Sequence, residues 1–366
     1  MKRLSCLVIL LLCCLVLFDT GTAYAKQKVY NTPFIPPFEI SQESIQAKTK
    51  ITEYNGKIYH IFFHSLILEP KLAFKSSMKE GYNNWMTTRT EFKKILNTLF
   101  KNNFILIDIN SLVTSKGTKS PLYLPQGKKP LIISIDDVNY YDYMKNCGFS
   151  DRLIALKDGS IACIKKTKSN EILDYQGDVM PIVDEFVKTH PEFSFKGAKG
   201  IVAVTGFQGV FGYRLYDKSN NKIAHNIEQA KKVANALKRN GWKIACHSYS
   251  HSNRFKDVSI SLERFINDLK KWETQIAPVT GKTNIYISPF GTSFLSSDNR
   301  MQHLKNMGYN IFCPVYKNMG IKYENNMLIS ERLNFDGFTM IKYPSRIKKH
   351  FFDPAAIIDP ARPKMR

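Results

Sequence analysis

Residues 131–137, LIISIDD, form an apolar run that ends on two adjacent carboxylates, Asp136 and Asp137. Residues 242–251, WKIACHSYSH, begin with a second, mostly apolar run and end with two histidines four positions apart, His247 and His251. Both runs are short and lack the polar–apolar alternation of a half-exposed strand. We therefore predict that each is a strand buried on both faces.

Strands alternate with helices on both sides of these two runs. Further strand patterns occur at residues 57–68, 103–108, 200–205, 284–287 and 309–315, and helical patterns at 88–102, 179–189, 227–240, 262–276 and 299–307. This alternation predicts an α/β fold, with a parallel sheet or barrel covered by helices. Catalytic groups in such folds lie at the carboxyl ends of strands, which is where both motifs occur.

The chain divides into four predicted segments. Residues 1–25 have a basic start, a short apolar stretch and the small-residue site Ala23-Tyr24-Ala25. They predict a secretory signal peptide cleaved near Ala25, with an uncleaved membrane anchor as the alternative. A proline-rich extension (26–56), a main domain (57–345) and a basic, loosely held tail (346–366) follow. Asp-Gly at 158–159 predicts a hairpin, inserted into the domain at about 150–176.

Composition limits the class of protein and its partners. Of the seven cysteines, only Cys147, Cys163, Cys246 and Cys313 follow the predicted signal peptide. They are too few for a disulfide scaffold, and a pair between Cys147 and Cys163 is left open. The net charge of +22 favours binding to anionic cell-wall polymers, although a generally lysine-rich proteome explains the same charge. No nucleic-acid-binding motif is present and no protein partner is inferred.

The two motifs together offer ligands for a metal ion. Histidines four residues apart on a helical turn share one face, and Asp137 adds an oxygen ligand. Two histidines and a carboxylate leave coordination positions open for water and substrate, and Asp136 remains as a base for that water. Either motif alone is common on protein surfaces, but both following strands in a secreted chain predict a metal-assisted hydrolase.

At these residues the sequence resembles the polysaccharide deacetylases of carbohydrate esterase family 4, the NodB-homology domain. Residues 134–137 are similar to the family's Thr-Phe-Asp-Asp motif, and residues 247–251 to its His-Ser/Thr-x-x-His motif. The resemblance implies a distorted (β/α) barrel and a divalent metal, commonly zinc. It makes Asp136 the catalytic base and Asp137, His247 and His251 the metal ligands.

The sequence departs from the family in its other motifs. Pro289 and Phe290 match the end of the third motif, Arg-x-Pro-aromatic, but its arginine is missing, which leaves open the group that orients Asp136. By analogy, the Phe290 N–H is expected to donate to the oxyanion. We do not find the fourth motif. In the family, the general acid is a histidine near the C-terminal end of the domain, and this sequence has no such histidine on a late strand. Residues 61–66, IFFHSL, instead resemble an early strand of the extracellular poly-N-acetylglucosamine deacetylases.

That early strand makes His64 the candidate general acid. The alternative is that His64 is a buried histidine whose hydrogen bonds are made within the core. His60 lies on the same face of the strand and serves as the residue for comparison. The sequence thus predicts a secreted or wall-associated, metal-dependent enzyme that removes N-acetyl groups from a polysaccharide containing N-acetylhexosamine. Two alternatives remain. One is a metal-dependent O-acetyl esterase, and the other is a degenerate module that binds a glycan without activity.

Overall fold

The computed structural model describes residues 50–167, 169–216, 222–316 and 319–365. The predicted signal peptide therefore lies outside the described residues, as does most of the proline-rich extension. The strands are β1 (Ile51–Glu53), β2 (Tyr59–Phe63), β3 (Phe104–Leu106), β4 (Tyr123–Pro125), β5 (Lys129–Ile135), β6 (Arg152–Ala155), β7 (Ile161–Lys166), β8 (Glu171–Asp174), β9 (Gly200–Val204), β10 (Trp242–Cys246), β11 (Ile285–Ile287), β12 (Ile311–Cys313), β13 (Gly320–Glu324), β14 (Met327–Glu331) and β15 (Leu333–Asn334).

Several helices begin at residues whose side chains cap them. Thr88 and Glu91 form a capping box, in which each side chain accepts a hydrogen bond from the other residue's backbone N–H. Asp178 and Ser261 accept from the first turns of two later helices. The helices are α1 (Pro70–Ala73), α2 (Lys79–Trp85), α3 (Arg89–Lys101), α4 (Val179–Thr189), α5 (Ile223–Arg239), α6 (Leu262–Lys271), α7 (Ala277–Thr280), α8 (Asn299–Asn306), α9 (Gly337–Lys342) and α10 (Pro344–Lys348).

The central sheet closes on itself. Strands β2, β5, β9, β10, β11 and β12 are parallel neighbours in that order. Residues 327–334 complete the ring, because β14 pairs in parallel with β12 while β15, directly after it, pairs in parallel with β2. The predicted distorted (β/α) barrel is confirmed. The closing strand at 327–334 has no counterpart among the strands predicted from the sequence.

The segment predicted as a hairpin insertion forms a sheet with one more strand than expected. Strands β6 and β7 pair antiparallel around the Asp158-Gly159 turn. Strand β8 then pairs antiparallel with β7, so the insertion is a three-stranded sheet. It leads into α4 and from there back to the barrel at β9.

The barrel strands are buried on both faces, as their composition predicts. Along β5, Leu131, Ile133 and Ile135 pack in the larger hydrophobic cluster, which includes the helices. Ile132 between them belongs to a second cluster with Ala203 of β9 and other strand residues. Because successive side chains of a strand point to opposite faces, the second cluster fills the ring.

The predicted loose attachment of the tail at residues 346–366 is wrong. Arg362 is buried and pairs with the buried carboxylate of Glu91 on α3. Its guanidinium also donates to the carbonyl oxygens of Asn83 at 2.8 Å and Met86 at 2.6 Å. Phe351 and Ile357 are buried in the main cluster. The sequence showed a basic, proline-spaced segment, but not the buried acceptors that hold it.

Within the ranges given above, no helix has the length and apolar character required to cross a membrane. Cys147, Cys163, Cys246 and Cys313 are all free. The pair left open between Cys147 and Cys163 is therefore not formed.

Candidate functional site

The predicted site residues gather at the carboxyl rim of the barrel, because each follows a strand of the ring. His64 follows β2, Asp136 and Asp137 follow β5, and His247 follows β10. Pro289 and Phe290 form a short turn after β11. The parallel order of these strands brings residues that are distant in sequence to one end of the molecule.

Asp137, His247 and His251 form the only metal-ligand cluster found in the described residues, with one ligand atom from each lying within 4.8 Å of the others. The Asp137 carboxylate oxygens are 3.9 Å from His247 Nε2 and 3.7 Å from His251 Nε2. His247 Nδ1 lies 2.8 Å from the Ile287 carbonyl oxygen, to which it donates, leaving Nε2 as the ligand atom. This donor set fits a divalent metal ion such as zinc.

The charge states of this cluster suit metal binding. Burial alone would raise the pKa of Asp137, but the charges of His251, His247 and His64 outweigh it and lower that pKa to about 2. Burial lowers the pKa of His247 below its ordinary value, although Asp136 and Asp137 oppose this. At neutral pH the site therefore offers an ionised carboxylate and a neutral imidazole, the forms that bind metals.

Tyr141 supports the Asp137 ligand and was missed by the sequence analysis. Its hydroxyl donates to Asp137 Oδ1 at 2.6 Å and lies 3.1 Å from Thr205 Oγ1. The left-handed backbone at Asp137 (φ 59°) and Tyr140 (φ 52°) turns the chain back after β5. In the sequence, Tyr141 is only a tyrosine four positions after Asp137. Its contact with Asp137 cannot be inferred without knowing the turn between them.

Arg332 supplies the guanidinium that the third motif lacks. It lies between β14 and β15 on the closing strand, and its Nη1 donates to Asp136 Oδ1 at 2.7 Å. The arginine is fully buried and its guanidinium lies 4.3 Å from the centre of the Phe62 ring. Burial alone would raise the pKa of Asp136, but the charge of Arg332 and then that of His247 outweigh it, so this pKa lies below its ordinary value.

A polar layer inside the barrel holds Arg332 from below. Ser134 Oγ accepts from Arg332 Nη1 at 3.1 Å and lies 3.0 Å from His60 Nε2. His60 Nδ1 in turn lies 2.7 Å from Ser330 Oγ. Burial, followed by the charge of Arg332, lowers the pKa of His60 well below its ordinary value. His60 is therefore a neutral, hydrogen-bonded core histidine.

His64 is placed differently from His60. It is half-buried at the rim, and its Nδ1 lies 3.1 Å from the Trp85 carbonyl oxygen, to which it donates. This hydrogen bond leaves Nε2 for a substrate. Its charge contributes to the pKa values of both Asp136 and Asp137, so the ring lies within electrostatic reach of both carboxylates. Its role as the acid stays a prediction.

Four residues at the rim have strained backbone. Asp137 (φ 59°), Ser248 (φ 60°), His251 (φ 44°) and Phe290 (φ 56°) all adopt the left-handed conformation without being glycine. Such residues cost of order 1–3 kcal/mol each and are found where function requires the geometry. The Phe290 ring packs 4.4 Å from that of His251, so two of these turns meet beside the metal-ligand cluster.

Residues 222–312 match the family model described as polysaccharide deacetylase. This segment contains both motif histidines and the Pro289-Phe290 turn. The resemblance to the polysaccharide deacetylases is confirmed. The match supports a polysaccharide deacetylase function for the chain, and no match to a curated protein sequence was found.

Several solved deacetylase structures are similar over most of the chain. A de-N-acetylase from Aggregatibacter actinomycetemcomitans has 15% identity and a TM-score of 0.47, covering 80% of this chain and 99% of that one. IcaB from Ammonifex degensii has 14% identity and a TM-score of 0.45, covering 79% and 96%. The BpsB deacetylase domain from Bordetella bronchiseptica has 13% identity and a TM-score of 0.41, covering 78% and 98%.

Proposed function

We propose that this deacetylase is a metal-dependent hydrolase that removes N-acetyl groups from a polysaccharide containing N-acetylhexosamine. The observation that carries the proposal is the pairing of two arrangements at one rim. Asp137, His247 and His251 offer a metal-ligand cluster, and directly beside it Asp136 is an ionised carboxylate held by a buried arginine. An amide hydrolase needs both an electrophilic centre and a base.

Asp137, His247 and His251 would hold the metal, most favourably zinc. When bound, zinc polarises a carbonyl group and lowers the pKa of water. Asp136 is the base that accepts a proton from the attacking water. Arg332 keeps Asp136 ionised and fixes one of its oxygens, so the other is free to receive that proton. These assignments divide the site into a metal half and a base half.

The remaining steps belong to His64 and to the turn after β11. Water oxygen bonds to the acetamide carbon, and the negative charge that develops on the carbonyl oxygen is stabilised by the Phe290 N–H, with Pro289 fixing the turn. As the carbon–nitrogen bond breaks, protonated His64 donates its Nε2 proton to the sugar nitrogen. The immediate products are acetic acid, which ionises to acetate, and a free amine on the sugar. Asp136 then releases its proton to solvent and His64 takes one up, which restores both groups and balances atoms and charge.

The proposed setting is outside the cell or at its wall, after removal of residues 1–25. This part of the proposal rests on the signal-peptide pattern of those residues. The strongly basic composition suits a protein that works among anionic wall polymers.

The test is acetate release by the zinc-loaded mature chain from matched N-acetylated and O-acetylated oligosaccharides. We expect release from the N-acetylated series, and we expect the Asp136→Asn variant to lose it by about 10²- to 10⁴-fold while binding zinc as the unmodified chain does. Release from the O-acetylated series alone would make the chain an esterase. Zinc binding without release from either series would make it a glycan-binding module.

A further inference from the structure

Two groups of contacting aromatic rings, joined through helix α2, lie along one edge of the site. We define this aromatic strip as Phe338, Trp85, Tyr82, Tyr143, Tyr141 and Phe207. Ring centres lie 5.4 Å apart for Phe338 and Trp85, 6.3 Å for Tyr82 and Tyr143, 5.5 Å for Tyr143 and Tyr141, and 5.7 Å for Tyr141 and Phe207. Tyr82 and Trp85 are three residues apart on α2, which places them on one face of that helix.

Three rings of the aromatic strip are exposed, and the others support them. Phe207, Trp85 and Tyr143 expose 50%, 48% and 43% of their surface, whereas Tyr82 and Tyr141 are buried. A single exposed aromatic residue is ordinary. A set of aromatic residues that comes from four separate segments and shares one edge is typical of a binding surface.

The aromatic strip contacts the proposed machinery at two points. The Trp85 carbonyl oxygen accepts from His64 Nδ1 at 3.1 Å. The Tyr141 hydroxyl donates to Asp137 Oδ1 at 2.6 Å. The aromatic strip therefore adjoins the acid at Trp85 and the metal-ligand cluster at Tyr141, and Phe207 packs on Tyr141.

We propose that the aromatic strip binds consecutive sugar rings of the polysaccharide on both sides of the residue that is deacetylated, which rests on the function proposed above. A hexosamine ring has an apolar C–H face that fits an aromatic face, and polar edges that stay hydrated or accept hydrogen bonds. Pockets lined by aromatic side chains with a few polar groups at the centre suit such a ligand. The enzyme would therefore act within a chain of sugars.

The experiment measures kcat/KM for acetate release from N-acetylglucosamine oligomers of two and six units. The zinc-loaded chain is compared with Phe207→Ala, Trp85→Ala and a control, Tyr123→Ala. Tyr123 exposes 51% of its surface and lies on β4, just before the amino end of β5. Phe207 is the cleaner probe, because the contact of its ring is with Tyr141 rather than with a catalytic group.

We expect kcat/KM to be higher for the six-unit oligomer than for the dimer. Phe207→Ala should lower it for the longer oligomer by about two- to tenfold and change it less than twofold for the dimer. Trp85→Ala, which lies next to His64, should lower it by a larger factor for the longer oligomer than for the dimer. Tyr123→Ala should change neither. Equal rates on both oligomers, or equal losses on both in the two variants, would overturn the strip but leave the deacetylase intact. Absence of acetate release from either oligomer by the unmodified chain would instead overturn the proposed function, and the strip with it.

Discussion

The metal half and the base half of the site are built in different ways. Asp137, His247 and His251 come from two compact motifs, and a strand end with its following turn places each of them. Asp136 depends on Arg332, which is 196 residues away in sequence and reaches it because residues 327–334 close the barrel. The metal ligands are therefore encoded by local motifs, whereas the arginine that pairs with the base comes from a strand distant in sequence.

The largest effect is expected in the metal half. Replacing His251 by alanine removes one of the three proposed ligands, so zinc affinity and acetate release should both fall by more than about 100-fold. Isothermal titration with zinc and an acetate assay would measure the two. His225→Ala, on the exposed side of α5, is the control and should change neither. Unchanged zinc affinity in His251→Ala would contradict the assignment of His251 as a metal ligand.

The next effect separates the base half from the metal half. Arg332→Met leaves Asp136 without its hydrogen bond, and kcat should fall by about 10²-fold or more. Arg332→Lys keeps the charge without the planar guanidinium, so its kcat should lie between those of the unmodified chain and Arg332→Met. Because breaking a buried pair costs about 3–5 kcal/mol, thermal unfolding must be measured alongside. A folded Arg332→Met variant with unchanged kcat would refute the role of the closing strand.

A smaller effect is expected at Tyr141, which belongs to the support of the metal half. Tyr141→Phe removes the hydroxyl that holds Asp137, so zinc should bind about 10-fold more weakly. Competition with a coloured chelator would measure this affinity. Tyr143→Phe, with a ring stacked against that of Tyr141, is the matched control. Equal affinities in both variants would show that Asp137 needs no such support.

The last effect is on stability rather than on activity and concerns Asp178. It accepts from the Leu66 N–H and from the Tyr140 hydroxyl, so it links the segment after His64 to the segment after Asp137. Burial raises its pKa from 3.8 to about 6, although the hydrogen bonds oppose this rise. The folded carboxyl thus stays protonated at pH values where the unfolded one has ionised.

The contribution of Asp178 to the free energy of unfolding is therefore largest at low pH and is lost as the pH rises from 3.8 to about 6. The loss is on the order of 3 kcal/mol. Asp178→Asn cannot titrate, so its melting temperature should depend less on pH across this window. Identical pH profiles of melting for the variant and the unmodified chain would contradict the shifted pKa.

The sequence was sufficient for the parts of the site that local pattern determines. Buried strands that end on Asp136, Asp137 and His247 predicted both the barrel and the rim on which these groups lie. The strand carrying His64 was placed correctly through a family resemblance. His60 and His64 share one strand face, yet only burial and hydrogen bonding distinguish the core histidine from the rim histidine.

The rest depends on contacts that no local pattern encodes. The closing strand at residues 327–334 contains Ser330, Glu331 and Arg332, so its composition does not suggest a buried strand. Arg332 is buried where its Nη1 donates to both Asp136 and Ser134 in the folded state. The tail was misjudged for the same reason, since Arg362 is basic and proline-flanked in sequence but is held by Glu91 in the structure. Buried charges are predictable only once their partners are known.

The most direct test of this division measures zinc affinity and acetate release together in the Arg332→Met variant. We expect a folded protein that has lost about 10²-fold or more of its kcat but binds zinc within about threefold of the unmodified chain. Loss of a side chain that supports a metal ligand would instead weaken zinc binding by about 10- to 100-fold. A variant that loses zinc, or one that keeps its activity, would contradict the claim that the closing strand serves the base and not the metal.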